Sequence, residues 1–150
     1  MNKELKIQLE NIEEAEQEIL KAGAKFINAT TSTYTYFNQP AGMVLKITKN
    51  DKGFFKVRIQ RDDKQFKILG SERLADPQSS LAQLSQKYGI KKKLTNKRRV
   101  FKYQGFNVSI NQIQDVGNFL VVEGKEPTFK IIEELGFKNP EIVTESFDNI

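Results

Sequence analysis

Apolar and polar residues alternate with a period of two along much of this chain, and that pattern demands sheets whose two faces meet different surroundings. In LKIQL, Leu5, Ile7 and Leu9 alternate with Lys6 and Gln8. In VLKIT, Leu45 and Ile47 alternate with Lys46 and Thr48, and in KVRI, Val57 and Ile59 alternate with Lys56 and Arg58. Each strand has one apolar face and one polar or basic face. From TSTYTYF through KQFKILG the chain is rich in β-branched and aromatic residues and is broken by NQPAG, KNDKG and RDDK, which are turn sequences. Four successive antiparallel strands are expected there. KKKLTNKRRVFKYQ, NVSINQI and GNFLVVEGK supply three more, the first two joined at QGF.

Helices punctuate the strands. Asn11 is an N-cap residue, acidic residues crowd the turns after it, and Gly23 ends the run, which predicts a helix with Ile12, Ala15, Ile19, Leu20 and Ala22 along one stripe. Asp76, Pro77 and Ser79 open a second helix that Gly89 closes, and Pro127 and Gly136 bracket a third. The tail PEIVTESFDNI reads as a further helical turn or two. About eight strands grouped in hairpins, with two or three helices, predict an α+β fold. Its centre is a closed antiparallel β-barrel with flanking helices, the apolar strand faces meeting helices and the polar faces lining a wet tunnel. Residues 1–150 are the length of a single domain.

Composition narrows the chemistry. Lys and Arg number 24 against 19 Asp and Glu, a net charge of +5 that permits an anionic partner without requiring one. There is no cysteine, which removes disulfides and thiolate ligands and fits a reducing cytosol. There is no histidine either, which excludes His-dependent nucleophile systems and the usual zinc and iron ligand. No run of about 18 apolar residues occurs, and MNKELKIQLE is charged where a signal peptide is apolar, so a cytoplasmic protein without a membrane partner is expected.

The stretch KKKLTNKRRVF holds six cations in eleven residues. By itself it is most simply a solvated basic surface, and Lys91, Lys92 and Lys93 are assigned to it. Taken alone, Glu4 and Lys6 would be an exposed pair and Glu123 a strand-end charge. Tyr34, Tyr36, Phe37, Phe54, Phe55 and Phe101 are expected as core or tunnel-wall aromatics. An RNA-binding β-sheet module is a third-ranked reading, because aromatic and basic residues alternate in TYTYF and KRRVFKY. No ribonucleoprotein motif, helix-turn-helix or arginine-rich arm accompanies them, so nucleic acid is not the expected partner.

In their order these segments resemble the CYTH family, the triphosphate tunnel metalloenzymes that include class IV adenylate cyclases, thiamine triphosphatases and inorganic tripolyphosphatases. The family's opening Glu-x-Glu-x-Lys is met by Asn2, Glu4 and Lys6, and its Leu-Gly-Ala by ILKAGAKF. Its Asp-Thr-Tyr-Phe-Asp resembles Tyr34 to Asn38, its Leu-Arg-Ile-Arg resembles Leu45 to Thr48, and its Lys-x-Arg resembles Lys97 and Arg99. A later segment is similar to INQIQDVGNFLVVEG, where Asn111 stands for an aspartate, Val121 for a first glutamate and Glu123 for a second. Carboxylates of the family are thus missing at Asn2, Tyr34, Asn111 and Val121, and Asn38 replaces another. On residues 64–76 the register is open: either Glu72 serves, or Ser71 and Arg73 take the glutamate positions and Glu72 points outward.

The resemblance implies a nucleotide or other polyphosphate gripped by Lys6, Lys46, Arg58, Lys97 and Arg99. It implies Glu4 and Glu123 as ligands of Mg²⁺ or Mn²⁺, one ion at most. Converging cations bind polyphosphate through charge-assisted hydrogen bonds, and phosphoryl transfer needs positioning and neutralisation more than a covalent nucleophile. With cations kept and carboxylates lost, a degenerate binding protein that senses or sequesters its ligand is expected. The alternative is a divalent-metal-dependent triphosphate phosphohydrolase or an adenylate cyclase. The barrel edges and the tail could also mediate a homodimer.

Overall fold

A computed structural model describes residues 2–150. In chain order its elements are β1 (Lys3–Leu9), α1 (Ile12–Lys21), β2 (Lys25–Phe37), β3 (Met43–Asn50), β4 (Gly53–Asp62) and β5 (Gln65–Arg73). They continue with α2 (Pro77–Tyr88), β6 (Ile90–Tyr103), β7 (Phe106–Ile113), β8 (Gly117–Gly124), α3 (Phe129–Glu134) and a 3-10 turn (Phe147–Asn149). The strands close in the order β1-β5-β4-β3-β2-β6-β7-β8, every pair antiparallel. The expected closed antiparallel barrel of eight strands with flanking helices is the observed fold.

Local chemistry sets the element ends. The Asn11 side chain accepts hydrogen bonds from the backbone N–H groups of Glu13 and Glu14 at 3.0 and 3.1 Å, and those two glutamates favour the positive end of the helix dipole. Asp76 caps α2 by accepting from the Ser79 N–H at 3.2 Å, with Pro77 pre-set for the first turn. Gln104 and Gly105, at φ 49 and 82, make the two-residue turn from β6 to β7 that needs positive φ at both central positions.

Two apolar layers lie outside the barrel. α1 and α3 cover the outer faces of β1, β7, β8 and the end of β6, where Leu5, Ile7, Phe101, Val108, Leu120 and Ile132 pack. α2 covers Phe37, Leu45 and Ile47 on β2 and β3. Helices therefore draw the apolar faces of these strands outward and leave their polar faces to the interior. The outer face of the β4–β5 hairpin carries Lys56, Arg58, Gln60 and Lys67, so there the apolar face turns inward, and Val57, Ile59 and Phe66 join an inner cluster.

The tail differs from expectation. It is extended before its 3-10 turn: Ile142 bridges to Ile7, the Val143 N–H donates to the Lys6 carbonyl at 2.8 Å, and Phe147 enters the barrel against Phe119. β1 pairs with β5 over only two residue pairs, at Lys3 and Glu4, and the tail takes up the strand edge beyond them. No helix among the described residues is long and apolar enough to cross a membrane.

Candidate functional site

The barrel encloses a cavity of about 530 Å³. Its charged lining among the described residues is Glu4 and Lys6 from β1, Lys46 from β3, Arg98 from β6 and Glu123 from β8. The structure thus brings Glu4, Lys6, Lys46 and Glu123 together.

Arg58, Lys97 and Arg99 do not join them, contrary to the expected convergence of five cations. Lys97 and Arg99 share strand parity with Phe101 and Tyr103, which belong to the outer layer, so all four point outward. Arg99 pairs with Glu16 of α1, its Nη2 3.2 Å from that carboxylate, and lies over the Phe26 ring. Arg58 alternates with the inward Val57 and Ile59 and is exposed, its guanidinium beside Gly70. Arg98, which sequence reasoning passed over, faces the cavity instead. Lys91, expected as free surface, pairs with Asp148 of the tail at 3.0 Å.

A bulge after Arg58 resolves the open register on β5. Ile59 pairs with Ile68 whereas Arg58 pairs with Gly70, so one extra residue shifts the parity. Ser71 then lines the cavity, and Glu72 points outward to Lys56 at 3.4 Å.

The cations sit in contrasting settings. Lys6 is 5% exposed, and its ammonium donates to the Glu145 carbonyl at 3.0 Å between the rings of Phe147 and Phe66, whose centroids lie 3.9 and 4.5 Å away. Burial lowers its pKa to about 8, the Glu4 charge opposing and the Lys46 charge assisting. Lys46 lies over Tyr34 and Tyr36 at 4.1 and 5.6 Å. No ion pair among the described residues engages Lys46 or Arg98.

Glu4 and Glu123 are direct neighbours across β1 and β8. Burial, then the Glu4 charge, raises the pKa of Glu123, while the Asn2 amide, donating at 3.2 Å, works against that rise. Two adjacent carboxylates at a wet cavity suit one hard dication completed by phosphate and water oxygens. Among the described residues no group of three or more Asp, Glu, His or Cys side chains gathers to hold an ion by itself.

The positions where the resemblance calls for further carboxylates, Asn2, Tyr34, Asn111 and Val121, all line this cavity. Asn96, fully buried, ties two of them together: its amide N–H groups donate to the Tyr34 hydroxyl at 2.9 Å and to Asn111 Oδ1 at 2.8 Å. Asn111 in turn donates to Ser109 Oγ at 3.0 Å. These are neutral groups that bond to one another without a counter-ion, and they leave the Asn96 Oδ1 buried with no hydrogen-bond partner among the described residues. Asn38 lies apart, its amide donating to the Tyr88 and Gly89 carbonyls at 3.1 and 3.3 Å.

No family model and no curated relative matches the sequence. Solved structures do match. The PH1012 protein from Pyrococcus horikoshii superimposes with a TM-score of 0.87 at 18% identity, over 99% of this chain and 98% of that one. A candidate adenylate cyclase from Vibrio parahaemolyticus gives 0.64 at 12% identity, over 88% and 80%. HpAC1 from Hippeastrum, a candidate adenylyl cyclase described as having a dominant triphosphatase activity, gives 0.58 at 15% identity, over 90% and 84%. The shared feature is the fold, the closed antiparallel barrel with flanking helices.

Proposed function

We propose that this protein binds a nucleotide or another phosphate-bearing small molecule inside its barrel and serves chiefly to sense or sequester it. One observation carries this reading: among the described residues Lys46 and Arg98 make no ion pair in the cavity, while four neutral residues stand where a metal-dependent member would need carboxylates. Lys46 meets phosphate oxygens as a point charge, and Arg98 adds a planar fork able to take two oxygens at once. Lys6, held by the tail, contributes its field from behind them.

Calorimetry with ATP, tripolyphosphate and cyclic nucleotides, with and without Mg²⁺ or Mn²⁺, tests the proposal alongside an assay of phosphate release. Metal-independent binding of at least one of these compounds, without phosphate release, is the expected result. Binding that Lys46→Ala and Arg98→Ala leave unchanged would remove these residues from the site and sink the proposal.

The Glu4–Glu123 pair favours a second reading, a divalent-metal-dependent phosphohydrolase or adenylate cyclase. Glu4 and Glu123 would hold the ion, which when bound supplies phosphate charge neutralisation and a more acidic water. Lys46 and Arg98 would orient the phosphate chain. HpAC1, with the same fold, is the neighbour that lends this reading support. Phosphate release that requires metal and vanishes in both Glu4→Gln and Glu123→Gln would establish it over the first.

A further inference from the structure

The cavity changes chemistry from strand to strand. β1, β3, β6 and β8 each place charge in it, whereas β4 and β5 place none. Those two strands contribute Phe55, Val57, Ile59, Phe66 and Ile68, with Ser71 as their one polar side chain. They are neighbours, with Ile59 opposite Ile68 and Val57 opposite Ser71, so the apolar groups form one continuous wall. The wall follows from the fold: with polar side chains on its outer face, this hairpin has the interior as the place for its apolar residues.

Part of that wall is unused by the protein's own packing. Ile59 and Phe66 are buried in the inner cluster and Val57 packs against it, whereas Phe55 and Ile68 lie outside it, and Phe55, Val57 and Ile68 are all only half-buried and line the cavity. Covering such surface is favourable by about 25 cal/mol per Å². Lys46 is the direct ladder neighbour of Val57, so a cation stands at the edge of the wall.

The charge available is small. Lys6 is enclosed by Phe66, Phe147 and the Glu145 carbonyl, which leaves Lys46 and Arg98 to meet a ligand beside Glu4 and Glu123. A single phosphate monoester carries about −1.5 to −2 charges, a match for two cations. A chain of three phosphates brings far more negative charge against two carboxylates.

We infer that the ligand is an organic phosphate monoester whose flat apolar or aromatic body lies on the β4–β5 wall while its phosphate reaches Lys46 and Arg98. Inorganic polyphosphate is then a poor ligand. A volume of about 530 Å³ leaves room for such a body. The inference rests on the phosphate-binding reading above and names the ligand class of that same site.

Calorimetry on the full chain, at one fixed pH and ionic strength, compares 1-naphthyl phosphate, 1-naphthol, inorganic phosphate and tripolyphosphate. The aromatic ester should bind at least about tenfold more tightly than each of the other three, a difference of about 1.4 kcal/mol. Ile68→Asn should abolish its advantage over the inorganic ions. Val57→Thr, nearly the same shape with a hydroxyl in place of one methyl, should reduce it and keeps the test open if the first variant does not fold. Lys46→Ala should weaken every phosphate-bearing ligand. The inference is overturned, with the phosphate-binding reading intact, if tripolyphosphate binds as tightly as the ester or if both wall variants keep the ester's advantage. Naphthol binding as well as its ester would overturn the monoester assignment. If no phosphate-bearing compound binds, the broader reading falls as well.

Discussion

Replacing Lys6 by methionine tests how the interior treats charge. The wild-type ammonium is 5% exposed, and its pKa falls from the ordinary 10.5 to about 8 because burial outweighs the attraction of Glu4. At about 1.4 kcal/mol for each tenfold change in proton affinity, that fall corresponds to about 3 kcal/mol. Below pH 8 both the folded and unfolded chains hold the proton, and folding bears the full penalty of burying the charge. Between pH 8 and 10.5 the folded protein releases the proton while the unfolded chain keeps it, so the penalty fades and stability rises with pH. Methionine keeps most of the stem's packing and has no proton to lose. The stability of Lys6→Met relative to wild type should therefore decline by about 3 kcal/mol from pH 7 to 10.5. In a chain of this length that is a relative shift of about 6–12 °C in Tm. Tyr36, whose pKa burial raises well above 10, destabilises both proteins at high pH and cancels in the difference. Urea unfolding followed by far-UV circular dichroism at several pH values measures the trend. A difference that stays flat or grows with pH would refute the claim that Lys6 is charged inside a desolvated site.

Arg98→Ala should weaken phosphate binding about tenfold, whereas Arg99→Ala, which breaks outer contacts with Glu16 and the Phe26 ring, should leave binding unchanged and cost about 1 kcal/mol; calorimetry and urea unfolding of the pair check this. Glu123→Gln removes a carboxylate whose pKa is raised in the folded state and whose ionisation therefore opposes folding. Its stability gain should be present at neutral pH and absent below about pH 4, and any Mg²⁺-induced rise in Tm should disappear with it. Asn96→Ala deprives the Tyr34 hydroxyl and Asn111 of a buried donor and should destabilise by about 2–4 kcal/mol in urea.

Strand and turn patterns foretold the barrel because alternation, turn chemistry and helix caps are local properties. They set the parity of each strand but not which parity faces inward. β1 and β4 alternate alike, yet Lys6 points in and Arg58 points out, since α1 and α3 cover one strand and the other presents its polar side chains outward. The same logic misdirected the reading of NKRRVFKY. Phe101 and Tyr103 mark the outer parity of β6, and counting back from them places Lys97 and Arg99 outside and Arg98 inside. The signal was in the sequence, but it required knowing that α1 lies over those aromatics. The roles of Phe147 and Glu145 had no local signature, because a tail folded back along β1 is a contact across most of the chain.

The missing carboxylates, by contrast, were legible one at a time and acquire meaning only together. Asn2, Tyr34, Asn111 and Val121 come from four different strands or segments and converge on one cavity. Asn96 bonds to both Tyr34 and Asn111, and Asn111 to Ser109, so the neutral residues form a network rather than a scatter of losses. An aspartate at position 111 alone would keep the acceptor that Asn96 uses but lose the donor to Ser109, and its charge would stand across the β6–β7 ladder from Arg98, drawing off a cation that a phosphate needs. Adding the further carboxylates that the resemblance calls for would need several changes at once. The polar side of the barrel is thus internally consistent with a site that works through Lys46 and Arg98, and the apolar side supplies the remaining surface a ligand must match.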